Sequence, residues 1–202
     1  MKVPFLEAVE SGPLVFDGAV GTQLYERGVY INKSFDDANL SRQDLVETIH
    51  EEYIKAGADV ITTNTFGSNR IKLENHGLEE KVGEINRQGA EIARRAAGDA
   101  AYVAGSIGPT GLAHGMLGES DLQRIREAYR EQAEILADGG VDVIILETFR
   151  QIQELRLAME AADAVTDLPI IAMMAFDEQG LTGDGSKPEQ VVEKLTEWRA
   201  DI

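Results

Sequence analysis

Val141-Asp142-Val143-Ile144-Ile145-Leu146-Glu147-Thr148-Phe149 is nearly continuous in apolar residues and closes on a carboxylate, a hydroxyl and an aromatic ring. A run of this kind suits a strand of a parallel sheet covered on both faces, since a strand with one wet face alternates apolar with polar. The same pattern recurs outward in both directions. Downstream lies Leu168-Pro169-Ile170-Ile171-Ala172-Met173-Met174-Ala175-Phe176. Upstream lie Tyr102-Val103-Ala104-Gly105-Ser106-Ile107-Gly108-Pro109, Ala58-Asp59-Val60-Ile61-Thr62-Thr63-Asn64-Thr65-Phe66 and the short Leu14-Val15-Phe16, closed by Asp17-Gly18.

Helical patterns fill the intervals. Ser41 precedes Leu45, Ile49 and Tyr53 at four-residue spacing, with Gly57 where a left-handed terminal residue belongs. Leu78, Val82, Ile85, Ile92 and Ala96 stripe a second helix ending near Gly98. Ser120-Asp121-Leu122-Gln123 reads as a capping box ahead of Ile125, Tyr129, Ala133 and Leu136, with Gly139-Gly140 as the stop. Ile152, Leu155, Met159 and Ala162 mark a fourth helix, and Ser186-Lys187-Pro188-Glu189 opens a fifth that reaches Trp198. Strand-to-strand intervals of about 27 to 45 residues are those of βα units. The reading is α/β, with five βα units and Ala200-Asp201-Ile202 as the opening of a sixth strand. A closed eight-stranded barrel needs about 250 residues, so the chain reads as an incomplete barrel, and a doubly wound sheet is the competing architecture.

Composition sets the outer limits. Residues 1–202 read as a single domain, 43% hydrophobic and 27% charged, near the globular average. The longest apolar stretches are too short to cross a bilayer. No signal peptide is visible in Met1–Glu10, so a cytoplasmic setting is expected. Nineteen Lys plus Arg against 36 Asp plus Glu give a net charge of −17. That field repels phosphate backbones and anionic lipid, so neither nucleic acid nor membrane is an expected partner. The acidity reads as solubility, with a salt-adapted source as the alternative. Zero Cys removes disulfides, thiolate catalysis and cysteine zinc sites from this chain.

Polar residues fall at the ends of the strand runs, where α/β folds build their sites. Asp17-Gly18-Ala19-Val20-Gly21-Thr22 offers a carboxylate and several backbone N–H groups, enough to hold an amino acid's ammonium and carboxylate. The same residues also read as a plain turn whose Asp caps the next helix. In Thr62-Thr63-Asn64-Thr65-Phe66 the threonines are good strand formers, and Asn64 asks for a reason. Glu147, after an apolar run, requires an internal Arg or Lys, a hydrogen-bond network or a cationic ligand beside it. His50, His76 and His114 show no metal-motif spacing and read as surface or partly buried histidines. Trp198 and Met173-Met174 read as core. No Gly-x-Gly-x-x-Gly or Walker pattern follows a strand, so nucleotide binding has no support.

Taken in order, Asp17-Gly18-Ala19-Val20-Gly21-Thr22, Asp44-Leu45-Val46 with Ile49-His50, Ala56-Gly57-Ala58 through Phe66, Gly108-Pro109-Thr110-Gly111 and Glu147-Thr148-Phe149 strongly resemble the homocysteine S-methyltransferase family. That family includes the homocysteine-binding domains of methionine synthases and betaine–homocysteine methyltransferases, and the resemblance covers nearly the whole chain. It implies a TIM barrel in which the homocysteine thiol binds a zinc held by three cysteines, one after the sixth strand and an adjacent pair after the eighth. It also assigns Asp17 and Glu147 to the amino acid moiety, with the turn from Gly18 to Thr22 near its carboxylate. The substrate-binding set expected here is therefore Asp17, Gly18, Ala19, Val20, Gly21, Thr22, Asn64 and Glu147.

Family members continue past the position of Ile202 into a Gly-x-Asn-Cys segment. All three zinc ligands would lie there, so no catalytic residue, metal or cofactor is expected within this chain. The methyl donor stays open among methyltetrahydrofolate through cobalamin, betaine and S-methylmethionine. Methyl transfer to homocysteine by a parent protein is the function this implies. The alternatives are a non-catalytic amino-acid-binding or chain-pairing module, and an α/β lyase using Glu147 as base. Open sheet edges also predict self-association.

Overall fold

The computed structural model describes residues 2–30, 34–112 and 118–202. In chain order the elements are α1 (Phe5–Ser11), α2 (Val20–Glu26), a 3-10 turn at Phe35–Asp37, α3 (Ala38–Ser41), α4 (Gln43–Ala56), β1 (Val60–Thr62), α5 (Arg70–Glu74), α6 (Val82–Ala97), β2 (Tyr102–Ile107), α7 (Glu119–Asp138), β3 (Val143–Phe149), α8 (Ile152–Asp163), β4 (Ile170–Met174) and α9 (Pro188–Glu197). The strands form one parallel sheet in the order β1-β2-β3-β4. Sheet order that follows chain order is the winding of a barrel. A doubly wound sheet reverses direction part-way across, so that alternative is excluded.

Strand alternation separates two faces. Ile61, Val103, Ile107, Ile144 and Leu146 point outward into a core with Ala90, Ala93 and Ala97 of α6, Tyr129, Ala133 and Leu136 of α7, and Leu155, Ala158 and Ala162 of α8. Val60, Ala104, Val143, Ile145 and Ile171 point the other way and pack around Phe5 of α1. That concave face is a barrel interior with its floor plugged from the N-terminal end.

The edges depart from the sequence reading in instructive ways. Leu14-Val15-Phe16 runs parallel to β1, but it amounts to a single bridge between Phe16 and Val60. Val15 N–H is turned away to the Asp59 carboxylate instead of a strand neighbour. Four strands and a bridge therefore stand where five full units were expected. At the other edge Ala172 N–H donates to the Ile202 carbonyl (2.9 Å) and Ile202 N–H to the Ile170 carbonyl (3.4 Å), the start of further pairing along β4.

Caps also differ. Ser41 ends α3, its hydroxyl donating to the Asp37 carbonyl, and α4 starts after Arg42. Helix α7 is capped by Gly118, whose N–H donates to Asp121 Oδ2, so Ser120 lies inside the first turn. Lys187 caps α9 with Pro188 at its first position, its N–H donating to Gln190 Oε1 at 2.9 Å, while Ser186 N–H is held by the Thr182 hydroxyl. Met173 is 46% exposed on the concave face, against its reading as core. His114 lies outside the described residues.

One backbone irregularity sets the direction of two side chains at the end of β3. Thr148 has φ 64, a left-handed conformation unusual for a β-branched residue, at a register shift between Leu146 and Phe149. Strict alternation would put Phe149 on the concave face with Val143 and Ile145. The bulge instead turns Phe149 outward, buried against Tyr129 with ring centroids 5.9 Å apart, and leaves Glu147 at the concave rim.

His50 on α4 is completely buried with neither ring nitrogen hydrogen-bonded. Burial holds its pKa down, at about 4. In the unfolded chain it protonates below about pH 6.5, so the unfolded state takes up the proton first and stability falls as pH drops from 6.5 towards 4. His50→Leu is expected to raise stability by about 1 kcal/mol at neutral pH, removing two unpaired nitrogens from the interior. It should also flatten that acid-side decline. Urea unfolding at pH 7 and pH 5 checks both, and an acid slope unchanged in the variant counts against this account.

Candidate functional site

The rim of the concave face is polar where its floor is apolar. Asp17 follows the Phe16 bridge, its N–H held by the Val60 carbonyl. Its carboxylate accepts from Thr62 N–H (2.9 Å) and from the Thr62 hydroxyl (3.1 Å). Glu147 accepts from the Ser106 hydroxyl at 2.5 Å, Ser106 lying beside Ile145 in the β2–β3 register. Burial, reinforced by the neighbouring Glu147 charge and opposed by the Thr62 hydrogen bonds, pushes the Asp17 pKa up to about 7. Among the described residues neither carboxylate forms an ion pair. Two acids at one barrel mouth thus face each other with only neutral donors.

Glu147 lines two adjoining spaces. One, of about 400 Å³, lies over the strand ends between the Gly18–Gly21 turn, Thr62-Thr63-Asn64, Phe66 and Ser106. The other, of about 750 Å³, is the apolar trough of the concave face and includes Asp17, Phe16, Ile145 and Ile171. The two meet at Gly18, Ala19, Thr62 and Glu147. A side chain at position 18 would press on the Tyr53 hydroxyl, 2.9 Å from where its Cβ would stand, so glycine keeps the turn against α4.

Behind the cavity lies a hydrogen-bonded scaffold. Asn64 donates to the Phe35 carbonyl (2.9 Å) and to Asn39 Oδ1 (3.1 Å), while Asn39 returns a bond to the Asn64 carbonyl (2.8 Å). Asn64 therefore spends both donors holding the wall formed by residues 34–39. Asp36, buried, accepts from Ser34 Oγ, Gly67 N–H and Ser68 Oγ. Thr65 donates to the Ser106 carbonyl, so the Thr63 hydroxyl donates to Thr65 and accepts from Ser106 N–H. The polar run after β1, unusual for a buried strand, is explained by these bonds.

Of the residues singled out from sequence, Gly18, Ala19, Val20, Gly21, Asn64 and Glu147 line the smaller cavity and Asp17 borders the adjoining trough. Thr22 lies in α2 and lines neither. Sequence reasoning missed Ser106, Asp36 and Lys72. Ser106 sat in view as a hydroxyl within a buried run, and its register against β3 was the missing information.

The homocysteine S-methyltransferase profile matches residues 14–201, nearly the entire described fold. The chain belongs to the homocysteine S-methyltransferase family. It is 35% identical to methionine synthase of Mycobacterium tuberculosis over 90% of this chain, and spans 17% of that protein's length. It is 30% identical to betaine–homocysteine S-methyltransferase 1 of Sus scrofa over 100% of this chain and 73% of that protein. Crystal structures of the homocysteine methyltransferase MmuM from Escherichia coli superpose with a TM-score of 0.81 in both metallated and oxidized forms, at 23% and 25% identity. They cover 95% of this chain and 73% or 72% of that one. An incomplete barrel of this family accounts for the single winding and for the plugged floor.

The metal implied by the family does not fit the side chains present. The chain contains no cysteine, and among the described residues no three His, Asp or Glu converge. Asp17 and Glu147 supply oxygens alone, and tight zinc sites draw on nitrogen or sulfur. Among the described residues no helix is long and apolar enough to cross a membrane.

Proposed function

We propose that this chain holds the amino acid end of homocysteine, in a protein that transfers a methyl group to the homocysteine thiol to give methionine. The carrying observation is the pair Asp17 and Glu147, two carboxylates at one rim with neutral hydrogen-bond donors and, among the described residues, no ion pair. A substrate ammonium supplies the missing charge and offsets their mutual repulsion. The substrate carboxylate then faces the backbone of the Gly18–Gly21 turn. No step of this reading passes through a metal held by this chain.

The pH dependence follows from Asp17. With its pKa at about 7, the empty site carries Asp17 partly protonated at neutral pH, and only the ionised form pairs with an ammonium. Affinity for L-homocysteine is therefore expected to fall as pH is lowered from 7.5 to 5.5, approaching tenfold per unit below the pKa. Binding at pH 7 should release protons, seen in calorimetry as heat that varies with buffer ionisation enthalpy. Asp17→Asn should abolish the buffer dependence. Measurable affinity that ignores both pH and buffer would remove Asp17 from the ammonium subsite.

A second reading, pairing with another chain, is favoured by the apolar trough and by the β4 edge, where, among the described residues, Ile202 alone supplies backbone partners on the outer side. Exposed Met173 lines that trough. Concentration-dependent light scattering tests this, with dimers or larger species expected at tens of micromolar. A monomer throughout would leave the edge protected by its own short pairing.

A further inference from the structure

In the homocysteine reading, Asp17, Glu147 and the Gly18–Gly21 turn hold the amino acid end and leave Lys72 unused. It lies in α5, whose cap Asn69 accepts the Lys72 backbone N–H at 2.9 Å. Its side chain lines the same 400 Å³ cavity as Glu147, with His76 beside it on the turn after α5. The ammonium is 5.8 Å from the centre of the Phe66 ring and reaches towards Gly111, whose Cβ position is 3.9 Å away. The Phe66 ring lies over Gly108, 2.4 Å from where a Cβ there would stand, so glycine at 108 gives the ring its place. The cation is thus steadied against an aromatic face at the cavity mouth.

Lys72 shares its lack of an acid partner with the other described lysines, and what sets it apart is that it lines the cavity. Carboxylates outnumber Lys plus Arg by 36 to 19, and seven arginines each contact one. Lys72 has no ion pair among the described residues. The acids that line its cavity are engaged elsewhere, Asp36 by Ser34, Gly67 and Ser68, and Glu147 by Ser106. One cavity therefore offers anionic groups at its strand-end wall and a cation on its α5 wall, which is complementary to a zwitterion.

We propose that Lys72, assisted by His76, recognises a carboxylate at the cavity mouth and so determines which methyl-transfer partners enter. The proposal rests on the homocysteine reading, in which the Gly18–Gly21 turn already meets the amino acid's own carboxylate. The carboxylate at Lys72 is then that of the second substrate. The same chemistry could come from homocysteine itself, and the test separates the two.

Wild type, Lys72→Met, Lys72→Arg and Glu147→Gln are titrated calorimetrically with L-homocysteine and its methyl ester. Each protein saturated with homocysteine is then titrated with glycine betaine and with choline, which keeps the trimethylammonium and lacks the carboxylate. The expected result is that betaine binds more tightly than choline to wild type and Lys72→Arg. In Lys72→Met that margin should shrink by about tenfold, the loss typical of one charge-assisted contact. A margin of homocysteine over its ester that disappears in Lys72→Met would support the same residue with the carboxylate coming from homocysteine. Both margins surviving in Lys72→Met, with its fold intact by circular dichroism, overturns the proposal and leaves the homocysteine reading standing. Homocysteine affinity unmoved by Glu147→Gln overturns that reading instead.

Discussion

Glu147→Gln is expected to weaken L-homocysteine binding by about 1.5–3 kcal/mol, roughly 10- to 150-fold, the range for a hydrogen bond to a charged group. The amide keeps the length of the side chain and can still accept from Ser106, which donates at 2.5 Å, so the loss isolates the charge. The same substitution should make the empty protein more stable, because it removes the repulsion that helps raise the Asp17 pKa. NMR titration should show the Asp17 midpoint moving below about 7. Weaker binding together with higher stability is the mark of a group arranged for a ligand. Unchanged affinity with lower stability would make Glu147 a structural acid, its role confined to bracing β3 against β2.

Asp36→Ala is expected to cost about 3 kcal/mol in folding free energy. The carboxylate accepts from Gly67 N–H (2.9 Å), Ser68 Oγ (3.0 Å) and Ser34 Oγ (2.8 Å), and truncation strands all three donors in a buried setting at about 1–3 kcal/mol for each group that water does not reach. For a domain of this size that lowers Tm by roughly 6–12 °C. The damage should reach binding as well, since Gly67 and Phe35 share the cavity wall with Asn64. Asp36→Asn should recover part of the stability, as one oxygen still accepts while the new NH2 faces the Ser34 hydroxyl. A loss under 1 kcal/mol in Asp36→Ala would mean that water replaces the carboxylate.

How much was legible beforehand depended on range. The runs around Ile61, Val103, Ile144 and Ile171 identified the parallel strands, because burial on both faces shows directly in composition. The run at Val15 looked equivalent, yet it forms one bridge, since the competing bond from Val15 N–H to Asp59 is set by a residue far along the chain. Ser41 and Ser120 had the chemistry of caps, but Asp37 and the Gly118–Asp121 pair decided where those helices begin and end. At the site, Asp17 and Glu147 were visible as acids closing apolar runs. Lys72 and Asp36 were not, because Asp36 acquires its meaning from Gly67 and Ser68 on a distant segment and Lys72 from the cavity it shares with Gly18 and Glu147, and periodicity carries no information at that distance.

The left-handed residue at Thr148 imposes a rule of parity on the end of β3. One extra residue lets Glu147 point inward and Phe149 outward from positions two apart, which the pleat of a regular strand forbids. Removing that residue would make Glu147 and Phe149 neighbours, which regular alternation also sends to opposite faces, so the Phe149 ring would keep its place beside Tyr129. Straightening the backbone at 148 with its residue kept would instead place Phe149 on the cavity side with Glu147. The end of β3 therefore depends on position 148 keeping its left-handed backbone, and any loop grafted behind Phe149 starts from a strand end already turned towards the helices.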